Sequence, residues 1–284
     1  MNASFEAPIP RPEAMSVHYD YIKVSYPMDD TNMLVLRNLA QWRAEYLAEQ
    51  YGERTVEPCS RGFEGSHVKV LVLGNRMIEI VSGIGAYYWA RSNLVTLSWR
   101  RVDVAVDFFY QPVDDNFEFC ERIIQNLYDF YFLRYQTVGK PGTVTLIKST
   151  SGSTLYLNRR VSERFVRIYN KTAEQRLKDV DIGKPILRIE IELKGRGILF
   201  TEHLPPSDEY LSAVTSLMAK QYHIPFLGPA EYLRRIKNPD LSRKPWESKL
   251  EWIRTRVLNT LRMLAMEAPE ELKAMGIRVE LPDE

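Results

Sequence analysis

Two segments of the sequence place carboxylates at the spacing of one face of a β-strand. One carries Asp103 and Asp107, and a later one carries Glu190 and Glu192. In a strand, residues two apart point to the same side, so each pair shares a face opposite valine, isoleucine or leucine. Carboxylates that lie close together repel one another unless a cation sits among them. The pattern therefore favours a hard divalent metal ion, which prefers oxygen ligands.

A third strand-like segment aligns Arg167, Tyr169 and Lys171. A tyrosine beside a metal and cations suggests a phenolate nucleophile that attacks a phosphate. A fourth segment, residues 154–158, carries Tyr156 in the same kind of alternation and offers a second candidate nucleophile.

The polar faces of these strands have another interpretation. Most antiparallel sheets are polar on one side because water lies there. A single strand of this kind would favour a solvated face. On the residues alone, the four segments together leave a solvated face and a reaction face about equally supported.

The charge of the chain is balanced overall and uneven locally. The formal net charge of the 284 residues is +1, yet residues 151–200 carry eleven Lys and Arg against six Asp and Glu. Residues 234–262 carry nine against three. Such tracts fit a phosphate-binding surface, and for the second tract an ordinary solvated helix face is an equal alternative. The candidate DNA contacts in the second tract are Arg243, Lys244, Arg254 and Arg256.

Several classes of protein are not expected from this sequence. Cys59 and Cys120 are too few and too far apart for a disulfide framework or a zinc site, which indicates a reducing cytoplasm. No apolar stretch approaches the roughly 20 residues that span a bilayer, and the N-terminus does not look like a signal peptide. The chain contains no nucleotide-binding loop and no serine-hydrolase motif, and its four histidines do not pair at metal-ligand spacing. We expect a cytoplasmic protein without a membrane partner.

The order of predicted elements indicates an α+β fold. Residues 1–16 contain Pro8, Pro10 and Pro12 and are predicted to form a flexible arm. Residues 17–204 are predicted to form an α+β domain of antiparallel sheets with packed helices, and residues 205–284 a helical C-terminal region. The strand-rich part has a long helix beside strands in each half, which hints at two similar α+β units. Strands are expected near 19–26, 68–73, 76–81, 101–110, 143–148, 154–158, 165–170 and 187–193, and helices near 31–51, 86–99, 114–134, 207–221, 229–237, 245–267 and 269–275.

The order and spacing of the polar segments resemble the replication initiation factor (Rep_trans) family. The resemblance covers about residues 17–200. It rests on Arg101-x-Asp-x-Ala-x-Asp107, then Thr154-Leu-Tyr-Leu, then Arg167-Ile-Tyr-Asn-Lys171, then Leu187-Arg-Ile-Glu-Ile-Glu-Leu-Lys194. The last two blocks are specific as a pair.

The resemblance implies roles for individual residues. Tyr169 would be the nicking nucleophile, and Arg167 and Lys171 would contact the phosphate. The likeness also implies a Mg²⁺ or Mn²⁺ ion held by the acidic residues Asp103, Asp107, Glu190 and Glu192.

One turn departs from the family pattern. Where the family often has Gly-Ser-Arg, this chain has Asn158-Arg-Arg160. Asparagine tolerates the positive φ that glycine supplies there, so we expect the turn to persist. Arg159, Arg160 and Arg164 are expected to contact DNA.

The implied function is initiation of rolling-circle replication. Tyr169 would nick origin DNA, form a 5′-phosphotyrosine and free a 3′-hydroxyl. The partners would be origin DNA in duplex and single-stranded form, a host helicase and a polymerase, and a homodimer is a candidate assembly. One alternative is a conjugative-element relaxase with the same chemistry. Another is a site-specific DNA-binding regulator that does not nick, against which the intact tyrosine and carboxylates argue.

Overall fold

The computed structural model of the protein describes residues 7–27, 33–92, 98–138, 143–180, 182–198 and 208–227. These residues form an antiparallel sheet with packed helices, and the predicted α+β class is confirmed. The strands are β1 (Ala14–Pro27), β2 (Glu57–Cys59), β3 (Gly62–Glu64), β4 (Val68–Leu73), β5 (Arg76–Ser82), β6 (Ser98–Phe109), β7 (Val144–Ile147), β8 (Thr154–Leu157), β9 (Arg164–Asn170) and β10 (Ile186–Lys194). The helices are α1 (Met33–Tyr51), α2 (Ile84–Ser92), α3 (Asn116–Val138), α4 (Lys171–Arg176) and α5 (Asp208–Tyr222).

The sheet is arranged similarly on the two sides of the central strands β1 and β6. The strand order is β2-β3-β4-β5-β1-β6-β10-β9-β8-β7, so four strands lie beyond β1 and four lie beyond β6. In sequence, a long helix precedes the outer strands on each side, α1 on one and α3 on the other, and a shorter helix follows them. This arrangement accounts for the hint of two similar units in the sequence.

One face of the sheet is apolar and carries the core. The valines of β6 and the isoleucines of β10 are fully buried, as their alternation predicts. Helix α1 lies against β3 and β4, and helix α3 lies against β7, β8 and β9. Helix α1 contributes Leu36, Ala40, Ala44 and Leu47, which recur at helical spacing and are buried.

Helix α5 belongs to the same core as the sheet. The ring of Tyr210 stacks on Tyr19 of β1 with the ring centroids 6.4 Å apart. The hydroxyl of Tyr131 in α3 donates to the carbonyl of Tyr222 at 2.5 Å. A domain boundary after residue 204 is therefore wrong for residues 208–227, because their apolar side chains are buried with those of the sheet. The helices predicted at 229–237, 245–267 and 269–275 lie outside the described residues.

Part of the segment predicted to be a flexible arm packs against the rest of the protein. Ala7 and Ile9 are buried, and the Ala7 amide donates to the carbonyl of His223 at 2.9 Å. Strand β1 already begins at Ala14. Proline favours extended backbone, and here that backbone sets two apolar residues against the core instead of leaving them in water.

The remaining elements follow the predictions with local differences. Helix α2 ends at Ser92 and Trp99 lies in β6, whereas the sequence suggested a helix to about residue 99. The short strands β2 and β3 and the six-residue helix α4 were not predicted, because each is too short to show a period. Both cysteines are unpaired. Within the described ranges, every helix is too short or too polar to cross a lipid bilayer.

Candidate active site

The strand register brings the polar side chains of five strands into rows across one face of the sheet. Asp107 of β6 lies opposite Ser16 of β1 and opposite Arg188 of β10. Arg188 in turn lies opposite Tyr169 of β9, and Tyr169 lies opposite Thr154 of β8. Asp107 and Tyr169, which the sequence singled out, are thus joined in one row by Arg188, to which the sequence analysis gave no role.

The next row runs through Glu190. Glu190 of β10 lies opposite Ala105 of β6 and Arg167 of β9, and Arg167 lies opposite Tyr156 of β8. In the row beyond, Glu192 lies opposite Asp103. Because alternation along a strand fixes which residues share a face, the sequence pattern was sufficient to predict this set.

The carboxylates of this face are buried, so the solvated-face interpretation is wrong for them. Asp103 is 0% exposed and Glu190 is 2% exposed, and Asp107 and Glu192 are also buried. Charges taken out of water need paired partners. Arginines from the same strands supply those partners.

Arg188 organises the end of the face that carries Tyr169. Its Nε and Nη2 donate to the two carboxylate oxygens of Asp107 at 2.6 and 2.7 Å. Its Nη1 donates to Asp20 at 3.0 Å, and Nη2 lies 3.4 Å from Nε2 of His18. Burial opposes the charge of Arg188, but the hydrogen bonds and charge of Asp107 raise its pKa overall, so the guanidinium stays positive.

Asp20 and His18 are functional candidates that the sequence analysis missed. Strand β1 contains a bulge at this point, since Tyr19 lies opposite Val104 and Tyr21 opposite Asp103, with Asp20 extra between them. A bulge breaks the alternation of a strand and re-aims a side chain. No motif in the sequence marks it. His18, which had no partner at metal-ligand spacing in the sequence, lies beside Arg188.

A second cluster holds the other three predicted metal ligands. Nε of Arg101 donates to Asp103 at 2.7 Å, and Nη2 of Arg101 lies 2.8 Å from Glu192. Arg167 forms an ion pair with Glu190, and its Nη2 lies 3.7 Å from Asp103. The Nε of Arg167 is buried without a hydrogen-bond partner among the described residues.

The acidic groups of this cluster are only partly neutralised. Burial, together with the nearby charge of Asp20, raises the pKa of Glu190 to about 8 despite the opposing effect of Arg167. Burial also raises the pKa of Asp103. Crowded carboxylates with raised pKa values have the donor chemistry that a divalent cation requires.

The side chains are nevertheless not arranged around a single metal position. In the part of the chain that the structure describes, no three His, Cys, Asp or Glu side chains are placed to hold one metal ion. Asp107 is engaged by Arg188, while Asp103, Glu190 and Glu192 are paired with Arg101 and Arg167. The four predicted ligands are thus divided between two clusters.

Tyr169 is a neutral phenol in this arrangement. Burial raises its pKa well above the usual value, and the positive charge of Arg188 opposes that rise. Lys171 Nζ lies 5.9 Å from the centre of the Tyr169 ring. The sequence placed Lys171 in the strand, but it is the first residue of α4, because the side chain of Asn170 caps that helix by accepting from the Ala173 amide at 3.1 Å.

Tyr156, the second candidate nucleophile, has a different environment. Its ring stacks on Phe165 with the centroids 5.4 Å apart and the planes at 16°. It lies opposite Arg167 in the row of Glu190, not in the row of Arg188.

A cleft of about 600 Å³ opens at Tyr169. Cationic side chains line part of it, and the start of α2 lines another part. The lining includes His18, Ile84, Tyr87, Tyr88, Tyr169, Lys171, Lys178 and Arg188, and it does not include Tyr156.

The predicted DNA-contacting arginines lie at the other end of β9. Arg159 and Arg160 are exposed in the turn between β8 and β9, and Asn158 has a φ of 71°, so asparagine does take the positive φ that was predicted. Arg164 donates to Gln221 of α5 at 2.6 Å. Arg164 lies five positions before Tyr169 along β9, a distance of about 17 Å. The predicted contacts Arg243, Lys244, Arg254 and Arg256 fall outside the described residues.

Comparisons with known proteins place this geometry in a family. A search of curated proteins found no match. Among solved structures, the rolling circle replication initiator protein from Geobacillus stearothermophilus is similar with a TM-score of 0.41 and 13% identity, over 73% of this chain and 85% of that chain. The family model described as replication initiation factor matches residues 98–273, more than half of the chain and the whole of β6 to β10. The protein therefore belongs to the replication initiation factor family.

Proposed function

We propose that the protein initiates rolling-circle replication by nicking origin DNA with Tyr169. The observation that carries the proposal is the row in which Tyr169 lies beside Arg188, at the edge of an open cleft lined by further cations. A phosphodiester in that cleft would meet a nucleophile and positive charge together.

The reaction is a transesterification. The Tyr169 oxygen attacks the scissile phosphorus, the bond to the 3′-oxygen breaks, and the 5′-phosphate stays on the tyrosine. The phenol proton leaves Tyr169, and the departing 3′-oxygen takes up a proton to become a hydroxyl. His18 is suited to accept a proton, because burial and then the charge of Arg188 lower its pKa and keep the imidazole neutral. Exchange of one phosphodiester for another needs no ATP.

We assign the cations of the cleft to binding the scissile phosphate of the DNA. Arg188 would stabilise the charge that develops on the phosphate oxygens, and its own position is fixed by Asp107. Lys171 lies near the Tyr169 ring and is held by Glu174 at 2.7 Å. The Nε of Arg167 has no hydrogen-bond partner among the described residues, and it would be a further donor if the substrate reaches the row of Glu190.

We assign a divalent metal, Mg²⁺ or Mn²⁺, to the carboxylates around Glu190. Glu190 and Asp103 would supply two oxygen ligands, because burial leaves their charge only partly neutralised. Glu192 and Asp107, which the resemblance also implicated, would then position Arg101 and Arg188. A bound metal ion would favour the tyrosinate and neutralise charge on the phosphate.

The partners follow from the products of the reaction. Duplex origin DNA must be recognised and a single strand must enter the cleft, so the exposed turn at Arg159 and Arg160 is assigned to the duplex. The freed 3′-hydroxyl is a primer for a host polymerase in the cytoplasm, and a host helicase would expose the template. We propose that the protein assembles as a homodimer on an origin that contains two half-sites, one for each subunit.

Incubation with supercoiled plasmid that carries the origin tests the proposal. We expect Mg²⁺- or Mn²⁺-dependent conversion to the open-circular form, and no conversion by Tyr169→Phe, which loses only a hydroxyl. A protein that binds the origin but never nicks it would be a regulator. Nicking by Tyr169→Phe at the wild-type rate would move the assignment to Tyr156.

A further inference from the structure

Helix α2 presents one apolar and aromatic side to the cleft at Tyr169. Ile84, Tyr87 and Tyr88 all line the cleft, and their spacing of three and four residues places them on one side of the helix. The rings of Tyr87 and Tyr88 meet edge to face, with centroids 5.4 Å apart and planes at 73°. Tyr87 therefore supports Tyr88 in a defined orientation.

This side of α2 is exposed although it is apolar. Tyr88 is 52% exposed and Ile84 is 69% exposed. Both are next to the reaction centre instead of being scattered on an outer surface. Exposed apolar side chains grouped in a cleft are typical of a surface that a ligand covers.

Three cations line another part of the cleft and suit phosphate, and the carboxylates of Asp20 and Glu174 lie among them. Lys171, Lys178 and Arg188 line the same cleft, and Lys178 Nζ is held at 2.7 Å from Glu174. A ligand that satisfies both parts must carry a negative charge and a flat apolar group. A nucleotide of single-stranded DNA has a phosphate and a base, and a volume of about 600 Å³ falls within the ~300–1,000 Å³ typical of small-ligand sites.

We propose that Tyr88, supported by Tyr87, stacks on an unpaired nucleobase next to the phosphate that Tyr169 attacks. The proposal rests on the proposed function, because it takes Tyr169 as the nucleophile. Stacking on a base requires that the base leave the duplex. Tyr88 is thus a binding and specificity-determining residue that admits single-stranded DNA and rejects paired DNA at the point of attack.

The test compares two strands with the same phosphates. One is oligothymidylate of about ten nucleotides, within the ~4–16 nucleotides of known single-strand sites, and the other is an abasic sugar-phosphate strand of equal length. Binding of each to the full-length protein is measured at one salt concentration. The ratio of the two affinities reports contacts to bases and is independent of register along the strand.

We expect Tyr88→Ala to reduce the preference for bases by about 5- to 150-fold, as ~1–3 kcal/mol per stacked base implies. Affinity for the abasic strand should stay within about twofold, and Tyr88→Phe should keep the wild-type preference because it retains the ring. Lys178→Ala should lower the affinity for both strands equally, because it removes a positive charge that both sets of phosphates meet. Tyr46→Ala is the matched control, since Tyr46 is 40% exposed on α1 and does not line the cleft.

Three results would overturn the proposal. The first is equal affinity of the wild-type protein for both strands. The second is an unchanged preference of Tyr88→Ala for the strand with bases. The third is an equal loss of affinity for both strands in Tyr88→Ala. The assay needs neither metal nor cleavage, so it can succeed in a protein that does not nick. Loss of nicking with intact stacking would refute the proposed function alone, and nicking without any effect of Tyr88→Ala on base preference would refute only this inference.

Discussion

Arg188 donates two parallel hydrogen bonds to Asp107 on one neighbouring strand, and it lies opposite Tyr169 on the other neighbouring strand. The carboxylate thus orients the guanidinium, and the guanidinium supplies the largest opposing effect on the raised pKa of the tyrosine. The pair links β6, which holds the carboxylate, to the strand that holds the nucleophile.

Arg188→Lys should impair nicking although it keeps the positive charge. Lysine cannot form the two parallel bonds to Asp107. We expect a loss of about 1.5–3 kcal/mol in the free energy of unfolding, the range for hydrogen bonds to charged groups. Urea unfolding and a plasmid-nicking assay measure the two effects. Arg61→Lys, at an exposed position, is the control and should change neither.

The metal-free protein should become less stable as the pH rises through the range set by Glu190. Burial raises the pKa of Glu190 from 4.5 to about 8 in the folded state. Between these values the folded chain holds a proton that the unfolded chain has lost, so the free energy of unfolding falls with rising pH.

Glu190→Gln should remove this contribution, because the amide does not titrate. Unfolding free energies in EDTA, measured between about pH 5 and 9, are the readout. Glu163→Gln, at an exposed position, should leave the wild-type profile intact. Identical profiles for wild type and Glu190→Gln would contradict the assignment of this dependence to Glu190.

Mn²⁺ should stabilise the wild-type protein and not Glu190→Ala. A ligand that binds only the folded state raises the free energy of unfolding, by about 2.7 kcal/mol at a hundredfold excess over its dissociation constant. Melting curves with and without Mn²⁺ measure the shift, and Glu163→Ala is the control. Because Glu190 is assigned to the metal and not to contacts with DNA, Glu190→Ala should reduce the nicking rate far more than the affinity for DNA. An equal Mn²⁺ shift in Glu190→Ala would exclude Glu190 as a ligand.

Asn170→Ala should loosen the start of α4 and with it the position of Lys171. The Asn170 side chain caps the helix through the Ala173 amide and donates to Glu121 at 2.9 Å. Loss of an N-cap costs about 0.5–2 kcal/mol. We expect lower stability and a lower nicking rate at saturating DNA. Asn75→Ala, in the exposed β4–β5 turn, should not lower the nicking rate.

The polar face of the sheet could be predicted from the sequence, because it is built on regular strands. Alternation alone placed Asp103, Asp107, Glu190 and Glu192 on one face, and the sheet register then brought Tyr169 beside Arg188. A period of two is enough when a strand has no irregularity.

The features that could not be predicted depend on irregular backbone or on tertiary packing. Asp20 lies in a bulge of β1 and accepts a hydrogen bond from Arg188, and no residue type in the sequence predicts that bulge. The position of Lys171 in a helix is not visible in the sequence, because a helix of six residues is too short to show a period. The burial of Asp103 and Glu190 depends on the arginines that cover them, and a strand pattern cannot distinguish a buried polar face from a solvated one.

The most direct test of the account is the covalent intermediate. The wild-type protein is incubated with a single-stranded oligonucleotide that contains its nick site and a divalent metal, digested with protease, and examined by mass spectrometry. We predict a 5′-phosphorylated oligonucleotide linked to the peptide that contains Tyr169, and no adduct with Tyr169→Phe or in EDTA. An adduct at Tyr156, or cleavage that leaves no phosphotyrosine at all, would contradict the central claim.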